Sequence, residues 1–301
     1  MELRKKLTAA WIRREQMHED PATTAYRIFH GHGDGEPRFD ADRFGKAVVL
    51  WLRKNSGVDV DSVAEFYSEV LQPDTIIVKD GARDSGHVLV GSAPSGPLTI
   101  KEEGLSFSVD LLAAQNAGFF LDARPARNWL RRHSAGRRVA NLFAYTGSLG
   151  VVAVAGGARS IEHVDLQTGQ LRRAQVNHQL NHQRVSTRDF QDVEVGRWLR
   201  QAIKKGRSFD GIILDPPPRS PRGRARFRRE RLYELAGKAL SPEGWIFVFF
   251  NRRGLDPHEE NEQVIDTLGP GYERFWEGRS GDDFMEPDLK NRLHFAAYRL
   301  R

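Results

Sequence analysis

The 301-residue chain contains no cysteine. That absence excludes disulfides, thiolate metal sites and cysteine nucleophiles. The ten histidines show no HExxH or similar ligand spacing, so no metal is expected. His30 and His32 stand among glycines and read as loop residues. No stretch approaches the ~18 apolar residues of a membrane span. The basic start "MELRKKLTAAWIRREQ" lacks the apolar core and cleavage pattern of a signal peptide. A cytoplasmic location with no membrane partner is therefore expected. Acid is in deficit: 40 Asp and Glu face 46 Lys and Arg, for a formal net charge of +6. Such a balance points to an acidic partner, with nucleic acid ahead of a membrane surface.

What is present divides into three stretches. Residues 1–24 carry Leu3, Leu7, Ala10, Trp11 and Arg14 at helical spacing, which predicts a short helical extension ended near Pro21. Residues 25–112 read as a small α+β domain. "YRIFHGHGDGEPRFDADRFGKAVVLWLR" gives strand, Gly-rich turn, strand, and "DVDSVAEFYSEVL" gives a helix with Asp61 as its N-cap. Four short strands follow: "TIIVKD", "HVLVGS", "LTIKEEG" and "LSFSVDLL". No residue in this domain demands a chemical role. From residue 113 to 301 strands and helical stretches alternate. The strands are "RRVANLFA", "SIEHVDL", "QRVSTRD", "FDGIILDP" and "GWIFVFFN", with "RLHFAAYRLR" closing the chain. This rhythm predicts an α/β fold with a mostly parallel sheet and helices on both faces.

The residues at the ends of these strands carry the chemistry. In a doubly wound sheet, ligands sit beyond the carboxyl ends of the strands. "VANLFAYTGSLG" runs from a strand into a loop with Gly147 and Gly150, where the backbone can approach a ligand. Tyr145 takes the place of the first glycine of a dinucleotide fingerprint, so a pyrophosphate is not the favoured ligand. An ordinary strand-to-helix turn would look similar. Asp165 ends the next strand, at about the 20-residue offset where an acid receives ribose hydroxyls. It could instead cap the following helix. Asp189 and Phe190 could hold an adenine by its amine and its face, or serve as a cap and a core residue. Asp215 ends "DGIILDPPP", and its prolines stiffen the loop beyond it by fixing φ. A carboxylate beside a rigid loop can grip a flat base; a strand that simply stops would also read this way. Arg219, Arg222, Arg224, Arg226, Arg228, Arg229 and Arg231 follow, with no acid until Glu230. Arginine matches phosphate geometry, so this run reads as an RNA phosphate track, against the alternative of a solvated charged face.

Together these motifs resemble the class I S-adenosylmethionine-dependent methyltransferases, and within them the group that acts on large-subunit ribosomal RNA. "QNAGFFLDARPARNW" (115–129) is similar to that group's segment entering the cofactor site. "NLFAYTGSLG" is similar to its cofactor loop, and Asp215-Pro216-Pro217 to its active-site loop. The likeness spans nearly the whole chain from residue 25. It implies a Rossmann-like, seven-stranded sheet with a reversed last strand, preceded by a smaller α+β domain. S-adenosylmethionine is the implied cofactor. Phe120, Asp122 and Arg124 would lie near it, Asn141, Phe143, Tyr145 and Gly147 would line its methionine side, Asp165 would hold its ribose, and Asp189 with Phe190 its adenine. The implied partner is RNA, and the resemblance allows a homodimer. The group often carries an N-terminal RNA-binding module of PUA type, whereas this chain is expected to begin almost directly at the central domain. Where the group has an aromatic two residues beyond Asp-Pro-Pro, this chain has Arg219.

Elementary chemistry narrows the target. Cytosine C5 becomes nucleophilic only after a thiolate adds to the ring, and no thiol exists here. A purine nitrogen needs no such activation. Guanine N7, with a free lone pair and no proton to lose, is favoured over an exocyclic amine. Two other readings stand beside this one: a methyltransferase of proteins or small molecules, and a non-catalytic RNA-binding protein with a residual cofactor site.

Overall fold

The computed structural model describes residues 2–81, 86–113, 116–217, 229–252, 254 and 256–301. The chain forms two units, one of Met1–Asp122 with Gly281–Pro287, the other of Ala123–Ser280 with Asp288–Arg301.

The first unit opens with α1 (Glu2–Arg13) and α2 (Glu15–Glu19), so the expected single N-terminal helix is broken at Arg14. The physical reason is an ion pair. Arg14 is only 2% exposed and its Nη2 donates to Asp34 Oδ2 at 2.7 Å. The strands are β1 (Ala25–Phe29), β2 (Phe39–Phe44), β3 (Ala47–Leu52), β4 (Thr75–Asp80) and β5 (His87–Gly91), forming one sheet in that order. Helix α3 (Val60–Leu71) joins β3 to the parallel β4. Its N-cap is Asp59, which accepts from the Ser62 N–H; Asp61 lies in the first turn instead. Val63, Phe66 and Tyr67 of α3 pack with Leu7 and Ala10 of α1 against Ile28, Val48 and Ile76 of the sheet. A hairpin, β6 (Leu98–Glu102) and β7 (Leu105–Val109), completes the strands of this unit.

The second unit runs α4 (Arg124–His133), β8 (Arg138–Leu142), α5 (Ser148–Ala155), β9 (Ser160–Asp165), α6 (Thr168–Leu180), β10 (Phe190–Asp192), α7 (Val195–Lys204) and β11 (Phe209–Leu214). It continues with α8 (Arg229–Ala239), β12 (Leu240–Phe250), α9 (Pro257–Leu268), β13 (Tyr272–Arg279) and β14 (His294–Leu300). The sheet order is β10-β9-β8-β11-β12-β14-β13. β10 through β12 are parallel, and β14 runs antiparallel to both of its neighbours. The central strands are near-continuous apolar runs, as strands covered on both faces must be. Ile212, Leu214 and Val248 pack against Trp198, Leu199, Leu232 and Ala236 of α7 and α8. Elsewhere Trp129 of α4 meets Phe247 at a ring separation of 4.8 Å. Burial of such side chains contributes about 1.5–3 kcal/mol each.

One expected strand is mostly absent. "QRVSTRD" is a loop and a 3-10 turn (Thr187–Asp189), and only Phe190–Asp192 pairs with β9. Ser186 and Asp189 close a reciprocal capping box there, which favours the turn over an extended strand.

Candidate active site

The parallel order reverses between β8 and β11. From β8 the chain moves outward to β9 and β10; later it returns to lay β11 on the other side of β8. A crevice at the carboxyl ends follows from that reversal. Register fixes its floor, because Leu142 pairs with Leu214 and also with Val164. Phe143 and Asp215 therefore leave adjacent strands at the same level, and Asp165 ends the third.

The loop after β8 is strained. Phe143 and Tyr145 have φ of 61° and 49°, a left-handed conformation uncommon outside glycine. Gly147 continues the pattern at φ 75° and caps α5. Two side chains hold this backbone in place. Asp165 Oδ2 accepts from the Tyr145 N–H at 2.9 Å, and the buried Asn177 donates to the Thr146 carbonyl at 2.8 Å. Asp165 Oδ1 accepts from the Gln167 N–H at 2.9 Å. Gln167, with no side-chain cap of its own, is the N-cap of α6, so Asp165 is not that helix's N-cap. A carboxylate offers about four acceptor sites. Asp165 thus retains capacity for a pair of ribose hydroxyls, and the residues present fit the nucleoside end of S-adenosylmethionine.

Beneath the loop lies a polar relay that sequence reasoning missed. Gln183 Nε2 donates to the Val151 carbonyl at 2.9 Å, so its Oε1 accepts from His178 Nδ1 at 2.6 Å. His178 Nε2 must then accept, and His163 Nε2 donates to it at 2.8 Å. His163 Nδ1 accepts in turn from Asn141 Nδ2 at 3.2 Å. Every step is satisfied with both imidazoles neutral. Burial pushes both downward, His178 to about 4 and His163 well below its ordinary value, where the neighbouring His178 adds to the effect. Phe190 stacks on His163 with ring centres 4.9 Å apart.

The structure places Asn141 and corrects two expectations beside it. Asn141, expected to line the methionine side, is fully buried, with Nδ2 donating to His163 and Oδ1 left without a hydrogen-bond partner. Gly150, read as room for a ligand, is room for a ring: a Cβ there would fall 2.2 Å from His163 Cε1. Asp189 ends a 3-10 turn instead of a strand, and its Oδ2 accepts from the Ser186 N–H at 2.6 Å.

Of the remaining expected residues, Phe120 and Asp122 belong to the first unit. Phe120 is 44% exposed, unusual for a phenylalanine. Burial works against the charge on Arg27, but Asp42 and then Asp40 raise its affinity for its proton, with a smaller contribution from Asp122. Arg27 also makes a two-pronged pair with Asp42, at 2.8 and 3.1 Å. Arg124 is the first residue of α4. A cation at a helix N-terminus opposes the macrodipole, so helix stability does not account for it. Arg219, Arg222, Arg224, Arg226 and Arg228 lie outside the described residues. Arg229, read with them, is buried beneath the Asp-Pro-Pro loop. Among the described residues, no group of three or more His, Cys, Asp or Glu is placed to hold a metal, and no helix is long and apolar enough to cross a membrane.

The profile of the S-adenosylmethionine-dependent methyltransferases matches residues 72–258, well over half of the chain. The chain belongs to the S-adenosylmethionine-dependent methyltransferase family. Its cofactor is S-adenosylmethionine. This methyltransferase is 31% identical to a protein of Photobacterium profundum named "Ribosomal RNA large subunit methyltransferase I", over 222 residues, or 71% of this chain and 56% of that protein. A protein of the same name from Erwinia tasmaniensis is 32% identical over 259 residues, 81% of this chain and 65% of that one. The methyltransferase thus spans between 56% and 65% of the length of these two relatives. Among solved structures, a Streptococcus mutans protein assigned to the SAM-dependent methyltransferases superposes with a TM-score of 0.89 at 23% identity. The match covers 98% of this chain and 80% of that one, and it speaks for the fold.

Proposed function

We propose that this methyltransferase modifies large-subunit ribosomal RNA at a purine nitrogen, with guanine N7 favoured. The observation that carries the proposal is the register of β8 and β11, which sets the loop after Leu142 beside Asp215. The name shared by the two relatives supports the substrate class. Bound S-adenosylmethionine supplies an electrophilic methyl on sulfur. The chain's residues supply position, because an in-line displacement is governed by the placement of the two reactants. Asp165 holds the ribose, Phe190 and Asp189 bound the adenine, and Phe143, Tyr145 and Gly147 form the wall toward the methyl. Arg124, the first residue of α4, serves the cofactor. Asp215 orients the target base, with Pro216 and Pro217 as its stiff rim, and its negative charge favours the positive charge that develops on the base. Arg219 to Arg228 deliver the strand by its phosphates. A stacked base must flip out first, at a cost of a few kcal/mol.

The test is methylation of total RNA with labelled cofactor, followed by nucleoside analysis. Label in 7-methylguanosine from large-subunit RNA is expected. Label that enters protein and no RNA would replace this proposal with one for a protein methyltransferase.

A further inference from the structure

The prolines do not hold the Asp-Pro-Pro loop by themselves. β12 ends beside β11, and Asn251 follows it directly. Asn251 Nδ2 donates to Asp215 Oδ1 at 3.0 Å and to the Pro216 carbonyl at 2.8 Å. A side-chain amide has two N–H groups, and both are engaged. Arg229, at the start of α8, joins them. Its Nη2 donates to the Pro217 carbonyl at 2.9 Å, to Asn251 Oδ1 at 3.1 Å and to the Pro216 carbonyl at 3.3 Å. The whole side chain is only 6% exposed. Burying a guanidinium is unfavourable, and here Nη1 is buried without a hydrogen-bond partner, so Nη2 alone makes the bonds that tie Arg229 to the loop.

The bonding pattern bears on which atom of a base the loop can serve. An exocyclic amine must give its hydrogens to acceptors while its lone pair turns to the methyl. An aspartate and the carbonyl of the next proline are natural acceptors. Here the Pro216 carbonyl already accepts from Asn251 Nδ2, and Arg229 Nη2 lies 3.3 Å from it, sharing its two N–H groups among three acceptors. The Pro217 carbonyl accepts from Arg229, and Asp215 Oδ1 from Asn251. A ring nitrogen has an in-plane lone pair and no hydrogen to place, so it makes no demand on these acceptors.

We propose that Asn251 and Arg229 are positioning residues that clamp the Asp215–Pro217 loop and engage its carbonyl acceptors, so that the loop serves a ring nitrogen of the base and not an exocyclic amine. The second half rests on the RNA-methyltransferase reading; the clamp does not.

Two measurements on the full chain separate these parts. The first needs no substrate: solvent exchange of the Asn251 side-chain amide protons, read by nuclear magnetic resonance. In the parent they should exchange at least about tenfold more slowly than those of an exposed asparagine, since both are hydrogen-bonded. Arg229→Met should release them, and Arg229→Lys, which folds more readily, should release them in part. Exchange at the exposed rate in the parent overturns the clamp. The second is the product nucleoside with its kinetics. A ring-N-methyl purine supports the proposal, and an N-methylated exocyclic amine overturns its second half. Asn251→Asp keeps the shape but sets a second carboxylate against Asp215, so one of the pair is raised. Its kcat should fall about 10- to 100-fold with an unchanged cofactor Kd, and the acid limb of its pH profile should move up by about one unit. An unmoved acid limb would mean that Asn251 does not act on Asp215. Protected amide protons in a chain that methylates no RNA would uphold the clamp while the substrate reading, and the atom preference with it, fails.

Discussion

At the scale of single residues, two carboxylates stand at the ends of the strands that flank β8. Asp165 is tied to the backbone on both sides, through Tyr145 and Gln167, and still has acceptor sites to offer. Charged hydrogen bonds of this kind contribute about 1.5–3 kcal/mol. Asp165→Ala should therefore weaken S-adenosylmethionine binding by about ten- to a hundredfold, measured by isothermal titration. An unchanged Kd in a folded variant would restrict Asp165 to holding the loop. Asp215 is tied to Asn251, and in the proposed function it orients the base. Asp215→Asn should lower turnover far more than cofactor affinity, because the lost charge acts on the base. If both fall together, Asp215 serves the cofactor. Gly150→Ala is a third test. The added methyl meets His163 at 2.2 Å, and such overpacking typically costs about 1–3 kcal/mol. A variant with parent-like denaturant midpoint would show that the ring can move aside.

At the scale of elements, the relay ties β8, α5, β9 and α6 together through neutral imidazoles. Its stability is consequently pH-dependent, and the sign follows from linkage. His178 titrates at about 4 when folded and near 6.5 when unfolded, so the unfolded chain binds more protons between those values. The relay's contribution is complete above about pH 6.5 and is lost as the pH falls toward 4. For His178 alone the loss is on the order of 3 kcal/mol. Denaturant unfolding from pH 7 down to 4 should show this decline, and a His163→Phe, His178→Leu double variant should show a flatter one. Equal slopes would place the acid sensitivity elsewhere. Cofactor affinity should decline over the same window, because Phe190 stacks on His163 and Asn141 donates to its Nδ1.

At the scale of the whole molecule, the excess of positive charge and the absence of thiol underlie the proposed RNA partner and chemistry. Replacing Arg224, Arg226 and Arg228 with Gln should weaken RNA binding and lower its log–log salt slope by about 2, at ~0.7 per single-strand phosphate contact. Cofactor binding should not change. A triple variant with the parent's slope would mean that these side chains face solvent. The product should not be 5-methylcytosine, whatever RNA is supplied, because serine cannot replace the missing thiolate at useful rates. Mass spectrometry of RNA treated with the pure protein checks this.

The closed chemistry, the run of strands and the residues that end them could all be read along the chain. Composition excludes the thiol route outright, and continuous apolar runs such as "GIIL" and "IFVFF" report two-sided burial without any partner being known. Asp165 and Asp215 were legible because each breaks such a run with a charge. Asn251 breaks a run in the same way, at the end of "GWIFVFFN", but a neutral amide there looks like the start of an ordinary loop. Its contact with Asp215 emerges on folding, since it depends on β11 and β12 being neighbours in register. The same holds for Arg229, which pattern grouped with a charged run and folding buried. Asn141, His163 and His178 look polar and exposed one by one, and become a core only when three elements meet. Asp189 misled for the opposite reason: a local capping box with Ser186 outweighed the strand propensity around it. Pattern along a chain reports how each residue meets solvent. Which residues meet one another is set by strand order and register, and these arise from contacts far apart in sequence.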